Sequence, residues 1–315
     1  MTNCQDFHAA VLAALGHAPD VIEPGRLHRF ATSPKRGDDA GWCKLFPDTH
    51  GGVYGCHRTG ISETWQAERE RPMTPAQRAA LARQVAEATA QRERQQHLQW
   101  AENARRIALL WTECVPLVPG DPAMLYLKRR GFAGVWTVPA CLRLNAALPC
   151  WEDGKRVGTF PALVAPLKAP GGQVVALHRT YLTTEGRKAD VPSPRKLTGT
   201  AGPLEGACIR LHQPRRGVVG IAEGIETALA AALASGVPTV AAYSAGNLAA
   251  WDWPAGIRRL VVFGDNDVAG RKAGEALRAR AFAAGLACTV LMPTEDDADW
   301  CDVWAARAVV ESVTA

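Results

Sequence analysis

From residue 217 onward, short apolar runs alternate with amphipathic ones. "GVVGIAE" precedes "IETALAAALASG", "PTVAAYS" precedes "AGNLAAWDW", "IRRLVVFGD" precedes "DVAGRKAGEALRARAFAAG", and "ACTVLMP" follows. Apolar strands alternating with amphipathic helices predict a parallel sheet with right-handed crossovers over 214–315. Residues 116–213 read differently. "TFPALVAPL" and "QVVALHRTYL" have strand character and are separated by "KAPGG", a turn signal.

Before them lies one long helical stretch, which opens at Thr74 as N-cap with Pro75 in the first turn. It runs to about Cys114 without a Gly or Pro. Its ends carry apolar helical spacing (Leu81, Val85; Ala104, Ile107, Ala108, Trp111), and its centre, "TAQRERQQH", is polar all round. A bare connecting helix of roughly 60 Å is expected there. The first 70 residues, with "GWCKLFPDTHGGVYGCHRTGISETW", read as short strands punctuated by Gly41, Gly51, Gly52, Gly55 and Gly60.

Composition adds the class. The 315 residues allow two or three domains, and 47% hydrophobic with 21% charged residues suits a globular protein. No apolar run approaches the ~20 residues of a membrane span, and the N-terminus lacks a signal-peptide pattern. No membrane association and a cytoplasmic location are expected. The nine cysteines are scattered with no C-x-x-C pair, as for small buried hydrophobes.

Charge is unevenly spread. Lys plus Arg against Asp plus Glu stands at 14 to 13 over residues 1–115, 13 to 6 over 116–213, and 9 to 12 over 214–315. A basic middle beside an acidic end suits a polyanion surface next to a carboxylate metal site, and ordinary solvated charge gives the same numbers.

The acids decide more. An apolar strand ends in "GDND", and an extended backbone directs Asp265 and Asp267 to the same side. Glu223 ends another strand, and "EDDADWCDVW" follows the last, supplying Asp296, Asp297, Asp299 and Asp302. The carboxyl ends of parallel strands are where open α/β sheets bind ligands. Carboxylates converging there without a lysine among them must protonate or take up cations. Hard oxygen ligands suit Mg²⁺ or Mn²⁺ and the chemistry of phosphoryl or nucleotidyl transfer. Any single one of these acids reads equally well as a turn former or helix cap, Asp267 above all.

In "AEGIETALAA", "FGDNDVAGRKAG" and "DADWCDVW" the chain resembles the Toprim family shared by topoisomerases, bacterial primases and some nucleases. The resemblance covers residues 217–305. It implies Glu223, Asp265 and Asp267 as catalytic residues, and these three with Asp299 and Asp302 as ligands to Mg²⁺ or Mn²⁺.

The middle region, in "YLKRRGF", "GTFPALVAPLKAPGGQVVALHRTYL" and "PRKLTG", resembles the basic subdomain ahead of Toprim in bacterial-type primases. It looks most like the primase-like proteins of plasmids, phages and integrative elements. By that resemblance Arg179 and Lys196 line a channel for template or nucleotide phosphates. Lys128, Arg129 and Arg130 suit the same task or a solvated face.

The opening "GWCKLF…GVYGCHRTGISETW" resembles the usual start of that group, where the replicative primase has a zinc ribbon. Cys43, His50, Cys56 and His57 offer four ligand types, but no C-x-x-C or C-x-x-H pair supports a closed tetrahedral site. Zinc is not expected. A metal-free module that reads DNA or docks on the polymerase core is, with Trp42, His57, Arg58 and Trp65 as candidates for base stacking, although tryptophans also suit a core.

The expected architecture is therefore α/β. A Toprim-like parallel-sheet domain at 214–315 is preceded by a mixed α+β basic subdomain at 116–213, a long helix at 73–115 and a small β-rich, zinc-ribbon-like module at 1–72. The expected activity is that of a DNA primase, a nucleotidyltransferase making short RNA primers on single-stranded DNA from nucleoside triphosphates, in the replication of a mobile element. The same acids would also serve a Toprim nuclease, or survive in a non-catalytic single-strand-binding accessory. A topoisomerase needs a nucleophilic tyrosine on a further large domain. No G-x-x-x-x-G-K-[ST] phosphate loop is present, so a helicase partner is expected on a separate chain.

Overall fold

A computed structural model describes residues 2–34, 38–56, 58–67, 74–134 and 136–313, with side chains up to Arg307. The chain forms two compact units, residues 1–98 with 151–155, and residues 99–150 with 156–315.

In the first unit, helix α1 (Asn3–Leu15) precedes strands β1 (His28–Phe30), β2 (Gly41–Leu45), β3 (Gly51–Cys56) and β4 (Ser62–Gln66), an antiparallel sheet in that order. Strand alternation sends Cys43, Leu45 and Tyr54 to one face, against Phe7 and Val11 of α1. Trp42, Phe46 and Val53 go to the other, against Leu81, Val85 and Ala88 of the long helix α2 (Pro75–Thr112). The centre of α2 is not bare: Gln91 accepts from Lys44 Nζ at 2.8 Å, and the Arg92 guanidinium lies 4.6 Å from the Trp42 ring centroid.

The glycines read as turns lie mostly inside strands, and only Gly60 takes a left-handed conformation, at φ 74°. Their reason is close approach. A Cβ on Gly52 would stand 2.5 Å from the Phe7 ring, and one on Gly55 only 2.2 Å from the Ile61 carbonyl.

Cys43 sits in the apolar layer under α1, where burial pushes its thiol up to about 12. The Cys56 sulfur lies 3.4 Å from the Thr32 hydroxyl, and the His50 ring contacts the Asp48 carbonyl. His57 lies outside the described residues. Among the described residues no three His, Cys, Asp or Glu side chains form a metal-binding group.

Arg58 pairs with Asp38 at 2.6 Å. Burial alone would raise the Asp38 carboxyl, but N–H donors of Thr32 and Ala40, the Ser33 hydroxyl and Arg58 outweigh it and hold it at about 2. The unfolded value is ~3.9, so the stabilisation is present above pH ~4 and fades as pH falls toward 2. Asp38→Asn should therefore cost about 2 kcal/mol at pH 6 and little near pH 2. Hydrogen exchange of the β1–β4 amides at the two pH values measures this, and an equal cost at both would exclude the linkage.

In the second unit, the end of α2 packs Ile107, Leu110 and Trp111 on Leu148, Cys150 and Leu177. The short strand β5 (Val115–Pro116) and helix α3 (Pro122–Arg129) follow, then β6 (Arg143–Glu152), β7 (Lys155–Lys168), β8 (Val174–Tyr181), β9 (Arg195–Leu197) and β10 (Cys208–Ile209). The chain then alternates β11 (Val218–Ala222), α4 (Ile225–Ser235), β12 (Thr239–Ala241), α5 (Ala245–Ala250), β13 (Arg259–Phe263), α6 (Val268–Ala283), β14 (Ala287–Leu291) and α7 (Trp300–Val313).

All strands from β5 to β14 join one sheet, ordered β14-β13-β11-β12-β10-β7-β6-β5, with β8 on β7 and β9 on β8. The four Toprim-region strands are parallel, and the rest pair antiparallel where their register is known. One face buries Ala222, Ala241 and Phe263 under α4 and the start of α7. The other buries Ile221, Val240 and Val262 under α5 and α6. Among the described residues no helix is long and apolar enough to cross a membrane.

Candidate functional site

Register sets the acids side by side. Ala222 pairs with Phe263, and Phe263 with Leu291, so Glu223 and Asp265 leave neighbouring parallel strands at the same edge. Glu223 occupies the corner before α4, whose N-cap is Gly224. Asp267 caps α6, its Oδ1 accepting from the Gly270 N–H at 2.6 Å. The cap reading of Asp267 is thus correct for one oxygen and leaves the other.

The third acidic segment is drawn in by Asn266, a residue the acid pattern does not mark. Its backbone N–H donates to the Ala298 carbonyl at 2.9 Å, its carbonyl accepts from Asp297 N–H at 3.0 Å, and its side-chain amide donates to the Glu295 carbonyl at 2.9 Å. Asp296 on that segment is 93% exposed and lies 4.0 Å from the Arg271 guanidinium.

Asp299 and Asp302 cap each other: Asp299 Oδ1 accepts from the Asp302 N–H at 2.9 Å, and Asp302 Oδ2 from the Asp299 N–H at 3.3 Å. Arg130, which from the sequence suits either a phosphate contact or a solvated face, stands at the end of α3 and supplies a cation to these acids. Its Nη2 lies 4.0 Å from Asp299 and 3.6 Å from Asp302.

Glu223, Asp265 and Asp299 line a cavity of about 230 Å³ together with His178, Arg195 and Lys196. Asp265 is the group under most stress. Burial, then the charges of Glu223, Asp299, Asp267 and Asp302, push its carboxyl up to about 7. Its Oδ1 is buried and has no hydrogen-bond partner among the described residues. Burial and the Asp267 charge also raise Glu223, against the Ala245 N–H and Arg195. An orphaned carboxylate oxygen amid like charges is the kind of donor a hard divalent cation takes, so the chemistry of these residues fits Mg²⁺ or Mn²⁺, while among the described residues no three of the acids are gathered into a ready-made metal group.

Behind the acids lies a network that the motif alone does not reveal. Glu226 is only 5% exposed, accepts from the Tyr126 hydroxyl at 2.6 Å and lies 3.8 Å from Arg195 Nη2. Burial would raise its carboxyl, and Arg195 and Tyr126 more than offset that and hold it below the usual range. Burial pushes His178 down to about 4, so its ring is neutral near pH 7. On β8 and β9, His178 pairs with Leu197 and Thr180 with Arg195, which puts His178 and Arg195 on one face.

Arg179 pairs with Lys196 on the other register. Lys196 still contributes to the cavity wall, whereas Arg179 does not line it. The Arg179 guanidinium donates to the Leu197 carbonyl at 2.6 Å and the Tyr181 hydroxyl at 3.2 Å. Lys128 is exposed, and Arg129, also exposed, donates to the Glu185 carbonyl at 2.9 Å. Arg58, Trp42 and Trp65 belong to the first unit. There Trp42 is 3% exposed and Trp65 packs 5.3 Å from Phe7, as core side chains.

One glycine holds the Asp265 backbone in place. A Cβ on Gly270 would lie 2.3 Å from the Asp265 carbonyl oxygen, so the turn admits no side chain there. Gly270→Ala should destabilise by about 1–3 kcal/mol through forced backbone movement. Chemical denaturation gives the cost, and one below ~0.5 kcal/mol would mean that the turn adapts freely.

Comparison with known proteins bears on this geometry. Residues 218–308 match the Toprim domain family, and residues 101–211 match a domain of unknown function, DUF7146. The chain is 28% identical to the DNA primase TraC of Escherichia coli over 231 residues, which are 73% of this chain and 19% of TraC. It thus spans about a fifth of the length of that relative.

Similar solved structures include the zinc-binding and RNA polymerase domains of the Aquifex aeolicus primase, at TM-score 0.42 and 13% identity, covering 100% of this chain and 84% of that one. The primase fragment of the bacteriophage T7 primase-helicase superposes with TM-score 0.34 and 20% identity, covering 60% and 69%. The acids at the ends of β11 and β13 thus lie inside the region that matches the Toprim domain family, and the chain is similar over most of its length to a segment of a DNA primase.

Proposed function

We propose that this protein is a metal-dependent DNA primase that makes short RNA primers on single-stranded DNA from nucleoside triphosphates. The observation that supports the proposal is one cavity lined by the orphaned Asp265 carboxylate and by Arg195 and Lys196. Acids for a cation and cations for phosphates, gathered in one cleft, are the needs of nucleotidyl transfer.

Glu223, Asp265 and Asp299 would hold Mg²⁺ or Mn²⁺, with Asp267 and Asp302 completing the acidic surround. When bound, the ion would neutralise charge on the reacting phosphate and act as a Lewis acid. Arg195 and Lys196 would hold the triphosphate or template phosphates. Where Glu223 is not taken up as a ligand, it would instead help activate the attacking 3′-hydroxyl by accepting its proton. Tyr126 and Glu226 would keep Arg195 aimed into the cleft. Arg179 would brace β9 beneath Lys196. The exposed Lys128 and Arg129, and Arg58 in the first unit, offer cations to a template backbone, and a helicase would deliver that template.

The test is primer synthesis on a mixed-sequence single-stranded template, with labelled ribonucleotides and Mg²⁺ or Mn²⁺. Short templated products are expected. Shortening of the template would instead assign the site to a Toprim nuclease, and binding without either product would assign it to an accessory role in replication.

A further inference from the structure

A second cavity, of about 140 Å³, lies on the opposite face of the same sheet. Its floor is Cys208, Val219 and Val240, part of the apolar layer under α5 and α6, whereas the acidic cavity opens beside Ile209 on the α4 face. The two cavities are thus separated by the sheet itself.

The walls of the second cavity combine cations and indoles. Lys168 pairs in register with Cys208 at the end of β7, and its ammonium makes no hydrogen bond or ion pair among the described residues. Arg210 is anchored by bonds from its Nη2 to the carbonyls of Ala169 at 2.9 Å and Pro170 at 2.8 Å, which hold its charge at the cavity. The one carboxylate in the lining, Asp252, is held by Arg280 at 2.9 Å, so the wall keeps a net positive charge. Trp251 is buried at the back, and Trp253, half-buried, lies 5.4 Å from the Arg280 guanidinium. His212 donates from Nδ1 to the Thr239 carbonyl at 2.9 Å, a bond that leaves its Nε2 as an acceptor.

We propose that this cavity binds a nucleoside phosphate, either free or as one unit of a single strand. A simple anion would use Lys168 and Arg210 but not the indole, and an apolar ligand would use the indole but strand the two cations. A flat aromatic group carrying phosphate uses both: the base on Trp253, the phosphate between Lys168 and Arg210, and a base donor on His212 Nε2. The inference rests on the cavity alone and holds whether or not the acidic site makes primers.

The test is photolabelling of the full chain in EDTA, with 8-azido-ATP in one arm and a single-stranded oligonucleotide carrying iodouracil in the other. Labelled residues are mapped by mass spectrometry. Label is expected on residues 251–254, reduced about tenfold or more in Lys168→Glu and in Trp253→Leu, each checked for an unchanged thermal melt. Label from the ATP arm alone assigns the cavity to free nucleotide, and label from the oligonucleotide arm alone assigns it to a strand. Label confined to residues 195–197 or 223–226, or undiminished in the two variants, would overturn the proposal.

Discussion

Asp265→Asn is expected to reduce primer synthesis by about a thousandfold, a loss of roughly 4 kcal/mol in transition-state stabilisation, while making the metal-free protein more stable. The two effects share one cause. In the folded chain the Asp265 carboxylate is surrounded by Glu223, Asp267, Asp299 and Asp302, with one oxygen buried and unpartnered. An amide of the same shape removes a charge from that cluster, so thermal unfolding in EDTA at pH 8 should move upward by several degrees. Added Mn²⁺ should then raise the melting temperature of the wild type and leave the variant nearly unmoved, because binding to the folded state alone stabilises by mass action. A variant that melts lower than wild type in EDTA, or that responds equally to Mn²⁺, would mean that Asp265 is structural.

Arg195→Ala, in the lining of the same cavity, should cost about 2 kcal/mol or more. Glu226 is buried, and with Arg195 gone its charge keeps only the Tyr126 hydroxyl as a side-chain partner among the described residues. Breaking a buried pair by removing one member leaves an uncompensated charge, the expensive case. The estimate stays at the low end because the Arg195 side chain is 45% exposed and the pair is 3.8 Å long. Glu226→Gln in the same chain should recover most of the loss, since the neutral amide can still accept from Tyr126. Urea unfolding of the two single variants and the double variant measures the coupling directly. Additive costs would show that Arg195 and Glu226 are neighbours without an energetic bond.

The alternation of apolar and amphipathic runs after residue 217 was enough to predict the parallel α/β sheet, because strands buried on both faces and crossover helices leave separate marks on a sequence. The positions of Glu223 and Asp265 were likewise legible, since Glu223 directly follows β11 and Asp265 stands two residues beyond β13, and Asp267 was legible as a helix cap. Arg195 was not. It stands beside Lys196 in "PRKLTG", and which of the two shares a face with His178 depends on pairing with β8, a register no local pattern records.

Arg130 and Tyr126 were hidden for a related reason. One meets Asp299 and Asp302, the other Glu226, across about a hundred residues or more of chain, and a contact that distant has no periodicity. The glycines of β3 misled in the opposite direction. Glycine marks turns by its conformational freedom, but Gly52 and Gly55 are there because a ring and a carbonyl approach too closely for a Cβ.

By itself, the sequence determined the sheet, its alternation with helices and the acids at its strand ends, all of which are local consequences of burial and chain direction. Only the tertiary structure decided which cations face those acids, which carboxylate is left without a partner, and that a second, basic and aromatic cavity lies across the sheet. Those depend on strand register and on the packing of segments far apart in the chain.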